Sequence, residues 1–227
     1  MTSQIKIVIV GDSTACNYKQ ERFPRSGWGQ LIGQFFSDNI DICNKAASGR
    51  SSKSFYDEGR LDEALKLISK KDYFFIQFGH NDQKSDKKRF TSPNNTYKFY
   101  LKKYIEAARA LSSVPVLLTP INRRIFEANG EIKNTHGTYP EAVFQVSTEL
   151  RVPVIDMTKK SRILFEKLGK RKSKNIFLHL EKGEHPNYPD GVQDDTHFSH
   201  YGASKMAELV VEGIKEIELD LAKFIKN

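Results

Sequence analysis

The sequence predicts an α/β fold, a three-layer sandwich in which a central parallel β-sheet is covered by helices on both faces. Three observations carry that expectation. Short β-branched runs recur along the chain, amphipathic stretches with helical spacing separate them, and the most unusual short segments fall where those runs end or where a helix starts. In open sheets of this kind ligands bind beyond the carboxyl ends of the strands, so those segments mark the candidate site.

The run at 5–10, closed by Gly11, has the continuous apolar character of a strand buried on both faces. Further strands are expected at 41–43, 73–78, 114–119 and 152–155. Helical spacing places Leu61, Ala64, Leu65 and Ile68 on one face, and Tyr100, Tyr104, Ala107, Ala108 and Leu111 on another. Near the end, Ala203, Met206, Ala207, Val210, Ile214, Ile217 and Leu221 line a third.

At 227 residues, 38% hydrophobic and 28% charged, the chain matches a soluble globular protein and is long enough to bury a sizeable core. No low-complexity block, repeat or linker interrupts it, so residues 1–227 are expected to form a single domain. No apolar run approaches the roughly 18 residues of a membrane span. The opening MTSQIKIVIVGDSTA does not resemble a signal peptide, because its apolar run is short and leads straight into a functional-looking segment. A cytoplasmic chain is therefore expected, and a secreted one if a leader has been removed. Lys and Arg outnumber Asp and Glu by 36 to 28, a net charge of +8 that favours acidic partners without naming one. Much of the excess sits in 159–174 and 84–89, runs that read first as solvated surface. No zinc-finger spacing or RNA-binding aromatic signature accompanies them, so no nucleic-acid partner is expected. Cys16 and Cys43 are too few for a disulfide framework or a cysteine-based zinc site, and both should be free and largely buried. The oligomeric state is left open.

Three segments, with a fourth paired to the last of them, carry the chemistry. GDSTA, at 11–15, follows the first strand. A serine hydroxyl is a poor nucleophile at neutral pH and needs a neighbouring base. Taken alone, Ser13 reads as an N-cap or turn residue. DDTH, at 194–197, precedes the last helix. A spacing of three lets Asp194 reach His197 Nδ1 across one tight turn. That bond would fix the tautomer, leave Nε2 free for the serine proton, and stabilise the imidazolium. Asp195, two residues from His197, is less well placed. The competing reading is a solvated acidic turn, with Ser199 capping the final helix. GHND, at 79–82, follows the third strand, and ASGR, at 47–50, the second. Acyl transfer needs donors aimed at the oxygen that becomes negative. Asn81 offers a side-chain amide and Gly49 a backbone N–H open to close approach, although each taken singly is a turn former. The G-x-S-x-G elbow, the P-loop and the dinucleotide fingerprint are absent.

Taken in order, GDST, the isolated Gly49, GHND and D-x-x-H resemble the SGNH (GDSL-type) hydrolases, and Ser13, Gly49, Asn81 and His197 fall on the four residues that name that superfamily. The resemblance spans 5–203 and implies a flavodoxin-like sandwich, with an oxyanion hole formed by the Ser13 and Gly49 N–H groups and Asn81. Thr14 stands where many members carry Leu, a departure that touches no catalytic role. The segments GWGQ, NKAASGRSSKSF, QFGHNDQK, TPINRR and DDTHFSHYGA look most like the rhamnogalacturonan acetylesterase branch. That branch implies a serine esterase acting on an acetylated acidic oligosaccharide from pectin. Related branches deacetylate other glycans.

Asp12, Arg50, His80 and Asp82 read as support around the site, and Arg50, His80, Arg123 and Arg124 as candidate substrate contacts. Arg123 and Arg124 can clamp a carboxylate bidentately or stand as exposed charges, and the sequence leaves both open. Trp28 reads as packing, and His136, His179 and His185 as solvated loop residues. The stretch 170–191, rich in Lys, Pro and Gly, reads as a lid or rim. Asp194, His197 and His200 can imitate a two-His-one-carboxylate metal site. The serine needs the same Asp and His and no other metal motif occurs, so no metal or cofactor is expected. A metal-dependent deacetylase and a non-catalytic binder of acidic polymers remain as alternatives.

Overall fold

In the computed structural model, which describes residues 4–226, five parallel strands form the central sheet. They are β1 (Ile5–Gly11), β2 (Ile40–Asn44), β3 (Tyr73–Gln77), β4 (Val114–Leu118) and β5 (Val154–Ile155). All five fall on the expected runs, within two residues at each end. The strand order is β2-β1-β3-β4-β5. The chain leaves β1 on one side for β2 and returns on the other for β3, so the order reverses beside β1. The connections diverge there, and they leave the crevice in which open α/β sheets hold ligands.

The alternation within β1 builds both helical layers. Ile7 and Ile9 enter one core, Val8 and Val10 the other, because successive side chains of a strand point to opposite faces. Each such burial is worth about 1.5–3 kcal/mol. The first core is closed by α1 (Trp28–Leu31), α6 (Met157–Lys172) and α7 (His200–Glu216). The second is closed by α2 (Ser52–Asp57), α3 (Arg60–Leu65), α4 (Lys98–Ala110) and α5 (Tyr139–Leu150).

Helix α7 buries Ala203, Met206, Ala207, Val210 and Ile214 of the expected stripe, whereas Ile217 lies just past its end and is only partly covered and Leu221 is buried from a separate turn; Ser199 caps the helix by accepting the Gly202 N–H at 3.0 Å. Helix α4 is rotated from its expected face. Leu101, Tyr104, Ile105 and Ala108 are buried while Leu111 is exposed, because Leu101 and Ile105 are wholly aliphatic, whereas Tyr100 on the expected face carries a hydroxyl that favours water. Cys16 is buried, but Cys43, on the edge strand β2, is only partly covered, and both are free. Among the described residues no helix is long and apolar enough to cross a membrane.

A two-stranded antiparallel hairpin, β6 (Phe177–Leu180) and β7 (Val192–Phe198), stands apart from the main sheet. The sequence does not predict it. Phe177 and Phe198 anchor it in the first core, and the Ser26 N–H donates to the Phe198 carbonyl at 3.2 Å. Leu178 pairs with Asp194 and Phe177 with Phe198, so residues 195–197 loop out of the ladder. Such a bulge re-aims side chains that a regular strand would send up and down in turn. The loop between the two strands docks on the segment before α1. Asn187 Nδ2 donates to the carbonyls of Gln20 and Phe23 at 2.8 and 2.9 Å, and the Tyr188 hydroxyl donates to that of Arg22 at 2.9 Å.

Candidate active site

The chain turns sharply after β1. The Asp12 carbonyl accepts the N–H groups of Ala15 and Cys16, and Asp12 Oδ1 accepts the Thr14 N–H at 2.9 Å and its hydroxyl at 2.8 Å. Ser13 lies on this turn, its carbonyl taken by the Tyr18 hydroxyl at 2.9 Å. The GWGQ segment packs directly behind. A Cβ on Gly27 would fall 2.3 Å from the Cys16 carbonyl oxygen, so only glycine allows the approach. Trp28 is fully buried and donates to Gln77 Oε1 at 2.6 Å, tying the turn to β3.

Ser13 Oγ lies 3.0 Å from His197 Nε2, and His197 Nδ1 lies 2.7 Å from Asp194 Oδ2. Asp194 Oδ1 accepts the backbone N–H groups of Thr196 and His197 at 2.8 and 2.9 Å. One carboxylate thus shapes the bulge with one oxygen and orients the imidazole with the other. Burial pushes the Asp194 carboxyl up, but the hydrogen bond and charge of His197 outweigh it and hold the group well below the usual carboxylate range. Asp195 faces away. Its Oδ1 takes Arg124 Nη1 at 2.7 Å and His179 Nε2 at 2.8 Å.

Gly49 occupies the third position of a turn closed by the Arg50 N–H and the Ala47 carbonyl, with φ of 80°. A positive φ there favours glycine, although no neighbour would obstruct a Cβ. Asn81 Nδ2 donates one hydrogen to the Arg50 carbonyl at 3.1 Å, which fixes the amide and leaves its second hydrogen free. Asp82 lies beneath, fully buried, and accepts from the Ser52 N–H and hydroxyl and from the Thr91 hydroxyl.

Burial lifts the Asp82 carboxyl from its ordinary 3.8 to about 7, against the pull of the Ser52 and Thr91 hydrogen bonds. Between those two values the native state keeps a proton that the unfolded chain has released. This group's contribution to stability therefore falls as pH rises through the window. Asp82→Asn removes the titration. The difference in urea-unfolding free energy, wild type minus Asp82→Asn, should decline from about pH 4 to about pH 7 and then level. A difference constant across that range would show that the buried group is already ionised.

Ser13, Gly49, Asn81, His80 and His197 line one cleft of about 320 Å³, joined by Arg25, Ser48, Lys84, Arg89, Arg123 and Thr196. His80 is buried with neither ring nitrogen bonded and stacks edge-on against His136 at 4.5 Å. Burial first, then the Arg123 charge, holds His80 well below the usual imidazole range; burial and the neighbouring His80 do the same for His136. His136, expected in solvent, is buried and bonds the Ile121 carbonyl, because the 120–139 segment folds back over β4 and sends Ile132 into the core. His179 lies on β6, and His185 packs on Phe23 at 5.6 Å, so neither is free in solvent.

The four candidate substrate contacts divide. His80 and Arg123 line the cleft, whereas Arg50 and Arg124 do not. Arg50 turns to Glu58 at 3.0 Å, a half-exposed pair worth about 0–1 kcal/mol, and gives a second hydrogen bond to the Ser48 carbonyl at 2.9 Å. Arg124, its side chain only 10% exposed, is fixed by Asp195, the Ser173 hydroxyl and the Lys170 carbonyl. Arg25 is missed by the sequence reading, since nothing in FPRSG marks it. Lys84 and Arg89 belong to a run read as solvated surface, and both border the cleft. His200 Nδ1 lies 3.2 Å from Ser26 Oγ instead of joining His197 and Asp194, and no three ligand side chains gather among the described residues.

A 2-1-3-4-5 sheet whose strand ends present a serine beside a carboxylate-backed histidine has the architecture of the GDSL-type acyl hydrolases. Residues 7–210 match the family described as GDSL-like Lipase/Acylhydrolase, and the chain belongs to it. It is 43% identical over 221 residues to the rhamnogalacturonan acetylesterase RhgT of Bacillus subtilis, covering 97% of this chain and 94% of that one. It is 40% identical over 220 residues to the probable rhamnogalacturonan acetylesterase YesY of the same organism, covering 96% of each. The fold is similar to the crystal structure of B. subtilis YxiM, with a TM-score of 0.81 and 25% identity. That alignment covers 96% of this chain and 58% of the longer YxiM chain.

Proposed function

We propose that this chain is a serine acetylesterase that removes O-acetyl groups from the galacturonate-rhamnose backbone of pectin. The observation that carries the reading is the hydrogen-bonded line from Asp194 through His197 to Ser13. In the forward step Ser13 Oγ attacks the acetyl carbonyl as His197 Nε2 takes the hydroxyl proton. The Gly49 N–H, the Ser13 N–H and the free hydrogen of Asn81 receive the developing oxyanion. Collapse of the tetrahedral adduct breaks the bond to the sugar oxygen, which leaves with the proton from His197. Water, activated by the same imidazole, then releases acetate from Ser13. Asp194 stays ionised throughout and stabilises the imidazolium. The substrate is supported by the names of the relatives at 43% and 40% identity and by a cleft bordered by Arg25, Lys84, Arg89 and Arg123 with no acidic residue.

Acetate release from acetylated rhamnogalacturonan and from acetylated xylan tests the proposal, with Ser13→Ala as the blank. We expect kcat/KM to favour rhamnogalacturonan by about tenfold or more at low salt. The advantage should shrink as salt shortens the range of attraction, which is about 10 Å at 0.1 M. Equal efficiency on both polymers, with no differential salt effect, would sink the pectin assignment and leave the esterase chemistry standing.

A further inference from the structure

The cleft does not end at the serine. A second cavity of about 610 Å³ adjoins it, and the two share Arg25 and Ser48 as their common wall. The second cavity is bordered by Lys19, Arg22 and Arg25 against a single acid, Glu21. Arg25 stands at the junction. Its guanidinium lies over the Tyr18 ring at 4.6 Å from the centroid, and the Tyr18 hydroxyl is in turn bonded to the carbonyl of Ser13. The fork is thus aimed by an aromatic platform anchored to the nucleophile's own backbone.

What sets Arg25 apart from the other cleft arginines is that its donors are unused. Arg123 gives hydrogens to the carbonyls of Thr135 and His80 at 3.1 and 3.3 Å, and Gln83, with its amide turned to suit its neighbours, accepts from both terminal nitrogens of Arg123 at 2.6 and 2.7 Å. Arg89 is paired with Asp86 at 2.8 Å. Arg25 has no carboxylate partner among the described residues, and its Nε is buried with no acceptor at all. A buried donor without a partner costs about 1–3 kcal/mol; Nε itself is closed to a ligand, and the terminal nitrogens are the ones left to meet a bound anion. A guanidinium fork matches a carboxylate bidentately, which a lysine cannot do.

We infer that Arg25, held by Tyr18, is a specificity-determining residue that binds the uronic-acid carboxylate lying nearest the reacting acetyl ester, with the chain of sugars continuing into the Lys19–Arg22 cavity. The inference rests on the pectin reading above and adds to it the residue and the place. Arg25 orients and captures the substrate, and it takes no part in proton transfer.

The test is a selectivity ratio measured on one enzyme preparation. Acetate release is followed on an acetylated galacturonate-containing oligosaccharide and on the same oligosaccharide with its carboxylates methyl-esterified. Because both substrates report on the same active sites, any misfolded fraction cancels. Wild type should favour the acidic form by about tenfold or more, a coupling of about 1.4 kcal/mol. Arg25→Gln should bring the ratio close to one, chiefly by raising KM for the acidic substrate, and Arg25→Lys should restore only part of it. Tyr18→Leu, which removes the platform and leaves the charge, should give an intermediate ratio. A high wild-type ratio that survives Arg25→Gln would overturn the assignment of Arg25 and spare the pectin reading. A wild-type ratio near one would overturn both and spare the serine chemistry.

Discussion

Ser13→Ala and His197→Ala should each lower kcat/KM by about 10⁴-fold or more, and the double variant should be no worse than the poorer single one. The 3.0 Å contact between Oγ and Nε2 makes the two side chains one device, since a hydroxyl without a base and a base without a hydroxyl are equally idle. Residual activity above the buffer blank would come from the oxyanion donors, which both variants keep. Acetate release under single-turnover conditions, with and without a chelator, is the measurement. If Ser13→Ala retained near-wild-type turnover that a chelator then abolished, the nucleophile would be a metal-bound water and the serine assignment would fall.

Asp194→Asn should be nearly as severe, costing about 10⁴-fold in kcat, while Asp195→Ala should cost less than about tenfold. The asparagine oxygen can still accept the Thr196 and His197 N–H groups, so the bulge should persist. Its amide, however, would offer a donor where Nδ1 also needs an acceptor. The ring would answer by moving its hydrogen to Nε2, and a protonated Nε2 cannot take the proton of Ser13. Asp195→Ala removes the contacts to Arg124 and His179, which brace the bulge from the side away from Ser13. Its effect should therefore fall on the unfolding midpoint more than on turnover. The opposite ranking of the two variants would transfer the orienting role to Asp195.

The central sheet and the three strand-end segments are legible because continuous apolar runs leave few other folds, and ligands gather where such strands stop. The Asp194–His197 pair is legible because a spacing of three is a local relation. The hairpin that holds it is not. Its second strand, VQDDTHF, has no alternating apolar face, since one buried residue, Phe198, suffices to anchor it. Helix α6 escapes for a related reason: only Met157, Thr158, Ser161 and Phe165 of its sixteen residues are buried, which leaves no stripe to detect. The pairing of Arg124 with Asp195 spans 71 positions and carries no local signal. Arg25 is hidden differently, because its importance lies in the partner it lacks. Absence of a partner is a property of the folded surroundings, invisible in a string of residues.

The segment that carries Arg25 is fastened to the hairpin loop by Asn187 and Tyr188, and every acceptor in that fastening is a main-chain carbonyl, from Gln20, Arg22 and Phe23. Any amino acid supplies a carbonyl. Side chains at 19–22 can therefore be exchanged without unfastening the loop, while the turn that carries Ser13 stays tied to β3 through Trp28 and Gln77. How the saccharide chain is gripped beyond Arg25 is thus open to change while the bond that is cut stays the same. A descendant of this fold could be refitted for a neutral or differently charged glycan by a few replacements on one short stretch, with its hydrolytic chemistry inherited intact.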